Sequence, residues 1–273
     1  MSPQPKQIGD DFCGLVLNQP LGGLRVIEGQ PLYEDRTEGM GAVAAYTYGN
    51  DTVVFVGTRS GQLKKIRVDG VPPPAQNALL YETVAVAEGQ PILRDMVFSP
   101  DHRSIYLLSH RQVTRLPVES CQQYNSCSDC LGSGDPHCGW CVLFNKCSRK
   151  ESCDRWEEPQ HFNTRLDQCV FISVSPSNMS VTSPPTQLTI RVQNVPELSG
   201  GVTCVFEDLT ETPGQVQTEG QVVCMSPSLE ELPAQAPPYG EKRAVQLSLR
   251  STETGLRFIS TSVVYYNCSV LGS

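Results

Sequence analysis

The chain has 273 residues, 39% hydrophobic and 18% charged, with a formal net charge of −8; that length suits about two ordinary domains, and the apolar content excludes a disordered chain. Lys and Arg against Asp and Glu number 11 to 13 over residues 1–120, 5 to 7 over 121–170 and 5 to 9 over 171–273, so no segment has the basic footprint of a nucleic-acid binder. The 22 Gly and 21 Pro favour short strands and turns over long helices, and no apolar run reaches the roughly 18 residues needed to span a bilayer.

Residues Met1–Gln7 lack the apolar stretch of a secretory leader, yet twelve cysteines suit an oxidising compartment. Both observations fit a piece of a longer secreted or membrane-anchored protein. Residues 1–40 read as irregular, with Leu21–Leu24 in a loop. From Ala42 to Pro117 short β-rich runs follow one another: Ala42–Thr47, Val53–Gly57, Leu63–Val68, Leu80–Val86, Leu93–Phe98, Ser104–Leu108 and Gln112–Pro117. Turn signals separate them at Gly49–Asp51, Arg59–Gly61 and Ser99–His102. The three-strand plan of Val43–Val68 returns in Leu93–Pro117, a spacing on the scale of a propeller blade. Two blades cannot close a ring, so exposed sheet faces and edges are expected. Lys64, Lys65 and Arg67 form the one basic cluster and read as a solvated strand edge.

Eight of the twelve cysteines fall between Cys121 and Cys169: Cys121, Cys127, Cys130, Cys138, Cys141, Cys147, Cys153 and Cys169. A module this small buries too little apolar surface to hold itself together, and cross-links, each worth about 2–4 kcal/mol, compensate. The pairs Cys127/Cys130 and Cys138/Cys141 also raise a zinc reading, but only seven residues part them, against the roughly 15–20 of paired zinc knuckles. Trp140 reads as packing on the cystines. From Val170 a second β region begins, with strands expected at Val170–Ser175, Gln187–Gln193, Val202–Phe206, Gln221–Met225, Ala244–Arg250 and Phe258–Tyr266. Val245, Leu247 and Leu249 alternate with polar neighbours as on a half-buried strand, and Thr254-Gly255 marks a hairpin. About seven short strands with the pair Cys204 and Cys224 suggest an immunoglobulin-like sandwich.

The run Cys121-x5-Cys127-x2-Cys130, followed by Gly134-Asp-Pro-His-Cys-Gly-Trp-Cys141, resembles the PSI module of plexins, semaphorins and integrins. Arg111–Cys121 is similar to the end of a sema propeller, and Cys13–Gly23 and Val53–Ile66 resemble class A plexins. Ile172–Pro176, Gln187–Ile190 and Cys224–Pro227 resemble the first IPT (TIG) domain, and Tyr266–Ser269 its join to the next PSI module. The expected fold is therefore mainly β: the C-terminal part of a sema β-propeller (1–120, its last two blades), a disulfide-rich PSI module (121–170), an immunoglobulin-like IPT/TIG sandwich (171–267) and the start of another module (268–273).

The resemblance implies the pairs Cys121–Cys138, Cys127–Cys169, Cys130–Cys147 and Cys141–Cys153, with Cys204–Cys224 inside the sandwich. Cys13 and Cys268 would have partners outside this segment. Spacing alone cannot choose among the 105 pairings of eight cysteines. The resemblance also implies a single-pass cell-surface receptor that binds semaphorins, directly or with neuropilin co-receptors, that associates with its own kind, and that acts in axon guidance. In it this segment would be a rigid stalk, with the main ligand contact on other blades. A growth-factor receptor of the same architecture is the alternative within this class, and an intracellular zinc module the alternative outside it.

No chemistry stands out. His102, His110, His137 and His161 are scattered. Gly57–Gly61 places Ser60 fourth rather than third, which GxSxG does not allow. No phosphate or dinucleotide loop occurs, so no enzyme and no cofactor are expected. Asn50, Asn178 and Asn267 open N-x-S/T sequons and are candidate glycan sites.

Overall fold

A computed structural model describes residues 29–71, 77–207, 210–218, 220–228, 231, 237–238 and 240–267. The readings at Cys13, Leu21–Leu24, Cys268 and 268–273 fall outside the described residues.

The first sheet is an antiparallel meander of β1 (Met40–Tyr48), β2 (Asp51–Thr58), β3 (Gln62–Val68) and β4 (Ala78–Ala85). β2 reads Val53-Val-Phe-Val because both its faces are covered. Val53 and Phe55 point into one cluster and Val56 into another with Ile66 and Val68. Gly61 sits at φ +89°, where an added Cβ would lie 1.9 Å from the Ala87 carbonyl oxygen. Its own carbonyl accepts from Val86 and Ala87 at 2.9 and 3.0 Å. This pulls the chain off the sheet at Ala85, one residue before the expected end of β4.

The second sheet has three strands, β5 (Met96–Phe98), β6 (Ser104–Leu108) and β7 (Val113–Pro117). The strand expected from Leu93 is short because Arg94 bends away, although Leu93 N–H still donates to Leu108 at 2.8 Å. The two sheets share a core of Phe55, Leu63, Ile92, Ile105, Leu107 and Val118. The far face of the second sheet leaves Val97, Tyr106, Leu108 and Val113 exposed, Val113 at 72%.

The basic cluster is not a solvated edge. β3 lies between β2 and β4, and Lys65 is 1% exposed. Its Nζ pairs with Glu82 Oε2 of β4 at 2.7 Å and reaches Pro117 O of β7 at 3.5 Å. On the opposite face Lys64 is ion-paired to Asp35, which holds the Asp35 carboxyl far below its usual range. Burial is tolerated because each ammonium meets a carboxylate.

The cystine module holds more regular structure than its cysteine density suggested. Helix α1 (Cys127–Gly132) is capped by Ser126, whose Oγ accepts from Asp129 N–H at 3.1 Å. β8 (Gly139–Cys141), β9 (Lys146–Ser148) and β10 (Phe162–Asn163) form a small sheet in the order β10-β8-β9. At Gly139 a Cβ would lie 2.2 Å from the Phe162 ring, which is why glycine precedes Trp140.

The third region contains β11 (Phe171–Ser175), β12 (Asn178–Ser180), β13 (Gln187–Gln193), β14 (Val202–Phe206), β15 (Thr210–Thr218), β16 (Gln221–Met225), β17 (Lys242–Ser251) and β18 (Arg257–Tyr266). They are joined in the order β11-β13-β16-β15-β14-β17-β18-β12. β15 links the two layers of the sandwich: Thr210–Gly214 pair with β14, and Gln215 onward pair with β16. The transfer falls at Pro213-Gly214, where proline offers no N–H and a Cβ on residue 214 would sit 2.8 Å from Val202 O. The sequence reading contained neither β15, which is polar and carries a turn-like Pro-Gly, nor β12, whose three residues add Met179 to the core.

Removing the partner of a buried charge costs more than the pair itself contributes. Glu82→Ala is expected to destabilise the blade pair by about 3–5 kcal/mol, whereas replacing both partners together, Lys65→Met with Glu82→Leu, should be close to neutral. Urea unfolding followed by circular dichroism distinguishes the two outcomes.

Candidate functional site

The residues with the densest polar contacts lie at the two ends of the cystine module. Neither end has a linker. Val118, fully buried in the blade core, is three residues from Cys121, buried in the next core. At the other end Val170 alone separates Cys169 from β11.

At the blade end, His137 is 2% exposed. Asp135 Oδ1 accepts from the backbone N–H of His137 at 2.9 Å and contacts its Nδ1 at 2.7 Å. The Tyr46 hydroxyl of β1 meets Nε2. Burial pushes the Tyr46 phenol well above its ordinary range, so it remains a hydroxyl in hydrogen-bond contact with Nε2. Tyr46 also stacks on His102 at 4.8 Å, and Tyr48 lies 4.4 Å from His137. Arg149 bridges the same seam, donating to Glu119 at 3.2 Å and to His102 O at 3.4 Å. Arg67 of β3 donates to Gly134 O at 3.1 Å.

This Tyr46–His137–Asp135 chain was missed by sequence reading. Asp135 two residues before His137 signals an Asx turn, but nothing in the sequence brings Tyr46 to it across 91 positions. Both ring nitrogens of His137 are occupied, one by Asp135 of its own module and the other by Tyr46 of the blade.

At the sandwich end, Arg155 is ion-paired to Glu158 and to Glu253 of the β17–β18 turn. Thr254 Oγ1 donates to Leu143 O at 3.1 Å. Asn194 Nδ2 donates to Asp167 O at 2.9 Å and Cys169 O at 3.1 Å. Trp140, 3% exposed, shares one core with Cys121, Cys130, Cys138, Leu188, Leu247 and Phe258. A cleft of about 350 Å³ opens along this seam, lined by Asn125, Cys127, Trp140, Gln246, Ser248 and Arg257 among others.

The structure joins Cys121 to Cys138, Cys127 to Cys169, Cys130 to Cys147, Cys141 to Cys153 and Cys204 to Cys224. The sulfurs of Cys121, Cys138 and Cys147 cluster within 4.8 Å of one another. Each already belongs to a disulfide, so no set of thiolates for zinc stands among the described residues. Asn50 and Asn178 are exposed. Asn267 is different: its Nδ2 donates to Pro237 O at 2.9 Å. No helix among the described residues is long and apolar enough to cross a membrane.

Blade sheets, a cystine module with a Gly-Trp core and an eight-stranded sandwich, in that order, define a multi-module, disulfide-stapled β protein. Comparison with known proteins agrees. The family model described as a Sema domain matches residues 2–99, the Plexin repeat (PSI) residues 120–170 and the plexin TIG domain residues 175–266. Plexin A3 of Danio rerio is 72% identical over 98% of this chain, and Plexin-A3 of Homo sapiens 58% identical over the same share. The solved extracellular region of Plexin A4 superposes over 99% of this chain and 27% of its own length, with a TM-score of 0.82 and 49% identity. The chain belongs to the class A plexins and spans 14% of the length of these curated relatives.

His161 is 5% exposed beside Arg155, and burial, then the Arg155 charge, lower its pKa below the ordinary value. The unfolded chain therefore takes up this proton first. The stability His161 confers is complete above about pH 6.5 and is lost as pH falls toward its lowered folded value. Melting temperature should drop between pH 7.5 and 5.5, and His161→Gln should flatten that slope.

Proposed function

We propose that this chain is the segment of a semaphorin receptor that sets the angle between the ligand-binding propeller and the modules behind it. The observation that carries this reading is the absence of any linker at either end of the cystine module, with side-chain bolts across both seams. Inter-domain motion is the default where an interface is small and polar. Here the Trp140 core runs from the cystine module into the sandwich without interruption.

Family membership supports semaphorins as ligands of the parent receptor, with neuropilin as co-receptor and self-association among its states. It also supports a place on the extracellular side of the plasma membrane and a role in axon guidance. The segment performs no catalysis and takes no cofactor; its part is mechanical. Its domains run 1–120, 121–170 and 171–267, with the next module starting at 268. The disulfides named above form in the secretory pathway, where Asn50, Asn178 and Asn267 also receive glycans. Occupancy is lower at Asn267, whose amide is already engaged.

Two measurements test this reading. Fluorophores on genetically encoded ketone side chains in place of Val43 and Arg191, both exposed, should give one narrow transfer distance. Tyr46→Phe combined with Arg67→Ala should broaden it, and a broad distribution in the unaltered protein would refute a rigid spacer. Secreted alone and offered to immobilised semaphorin domains, the chain should not bind while the complete ectodomain does. Binding by the chain alone would move a ligand contact into these modules.

A further inference from the structure

We propose that the Cys127–Cys169 disulfide is a thiol-exchange site, the point at which an extracellular dithiol reductant opens this region while the other described disulfides stay closed. Eight of the ten described cysteines are buried, between 0 and 7% exposed. Cys127 and Cys169 alone are half-buried, so this is the one pair in which both partners reach the surface. Exchange requires a thiolate to approach one sulfur in line with the bond it breaks, and access limits its rate. Cys127 also lines the open cleft on the sandwich seam beside Asn125 and Ser126, which gives an attacking thiol a path. The buried pairs have no comparable approach.

The position gives the exchange a consequence. The bond ties the first turn of α1 to the last residue but one before β11. The carbonyl of Cys169 accepts the Asn194 bond from the sandwich. Its sequence separation of 42 exceeds the 12, 17, 17 and 20 of the other four. It therefore restrains the most chain. The opening is local, because Cys130–Cys147 still anchors α1 and the β10–β8 pairing still holds the segment before Cys169.

The chemistry balances as a two-electron exchange. A thiolate of the reductant attacks one sulfur and forms a mixed disulfide, and the other sulfur leaves as a thiolate and takes a proton. The second thiol of the reductant then displaces the protein sulfur. The protein gains two thiols and the reductant becomes a disulfide. The exchange site stands on exposure alone; its effect on the module angle rests on the spacer reading above, and the two are tested separately.

Unaltered secreted chain is incubated with rising dithiothreitol, alkylated, digested and mapped by mass spectrometry. Cys127 and Cys169 should become labelled at about tenfold lower reductant, or about tenfold faster, than the other eight described cysteines. Labelling in step with those eight, or after any pair of them, would overturn the proposal. In protein reduced at this bond alone, the Val43–Arg191 transfer distance should broaden while the melting transition persists. An unchanged distance would remove the coupling to the seam.

Discussion

Everything in this chain depends on how a segment of fewer than fifty residues is held together with a domain packed against either end. Such a segment cannot bury the apolar surface that a core requires. Four disulfides lie within it, and they restrict the unfolded chain more than they add contacts. Their sulfur also acts as apolar filler. Cys121, Cys130, Cys138 and Cys147 lie in one core with Trp140 and with the Leu188, Leu247 and Phe258 of the sandwich. The cystine module and the sandwich therefore share one core.

The blade seam solves a different problem. Here the surfaces are polar, and polar groups removed from water must find partners. Lys65, Arg67, Tyr46, His137 and Arg149 each do so across an element or module boundary. A hydrogen-bonded seam of this kind is more directional than an apolar one: a shift of one module against the other orphans several buried groups together. The two ends of the cystine module thus meet their neighbours by different balances, a shared apolar core with a few side-chain bonds on one side and mainly directed bonds on the other. The exposed Val97, Tyr106, Leu108 and Val113 on the second blade mark where that logic stops, because a sheet face of this composition is built to be covered.

The same contrast explains what could be read from the residues. Strand positions were legible because side chains alternate with the pleat in Gln187–Gln193 and because short apolar, β-branched runs mark Val202–Phe206 and Gln221–Met225, all of which occupy the strands expected. The Gly-Trp between paired cysteines marked the module, since only glycine fits under Phe162. β15 was hidden because its Pro-Gly serves a change of sheet rather than a turn, and local sequence does not distinguish the two.

By itself, then, the sequence determined the class of each module and their order, through local periodicity, turn chemistry and cysteine spacing, and its resemblance to known motifs pointed to the family. Only the tertiary structure decided that Lys64 and Lys65 are buried, that Tyr46 meets His137, and that one described cystine of five has both residues only half-buried. Burial and pairing of a side chain depend on which distant strand passes over it, and that information lies in the packing of sheets rather than in any run of residues.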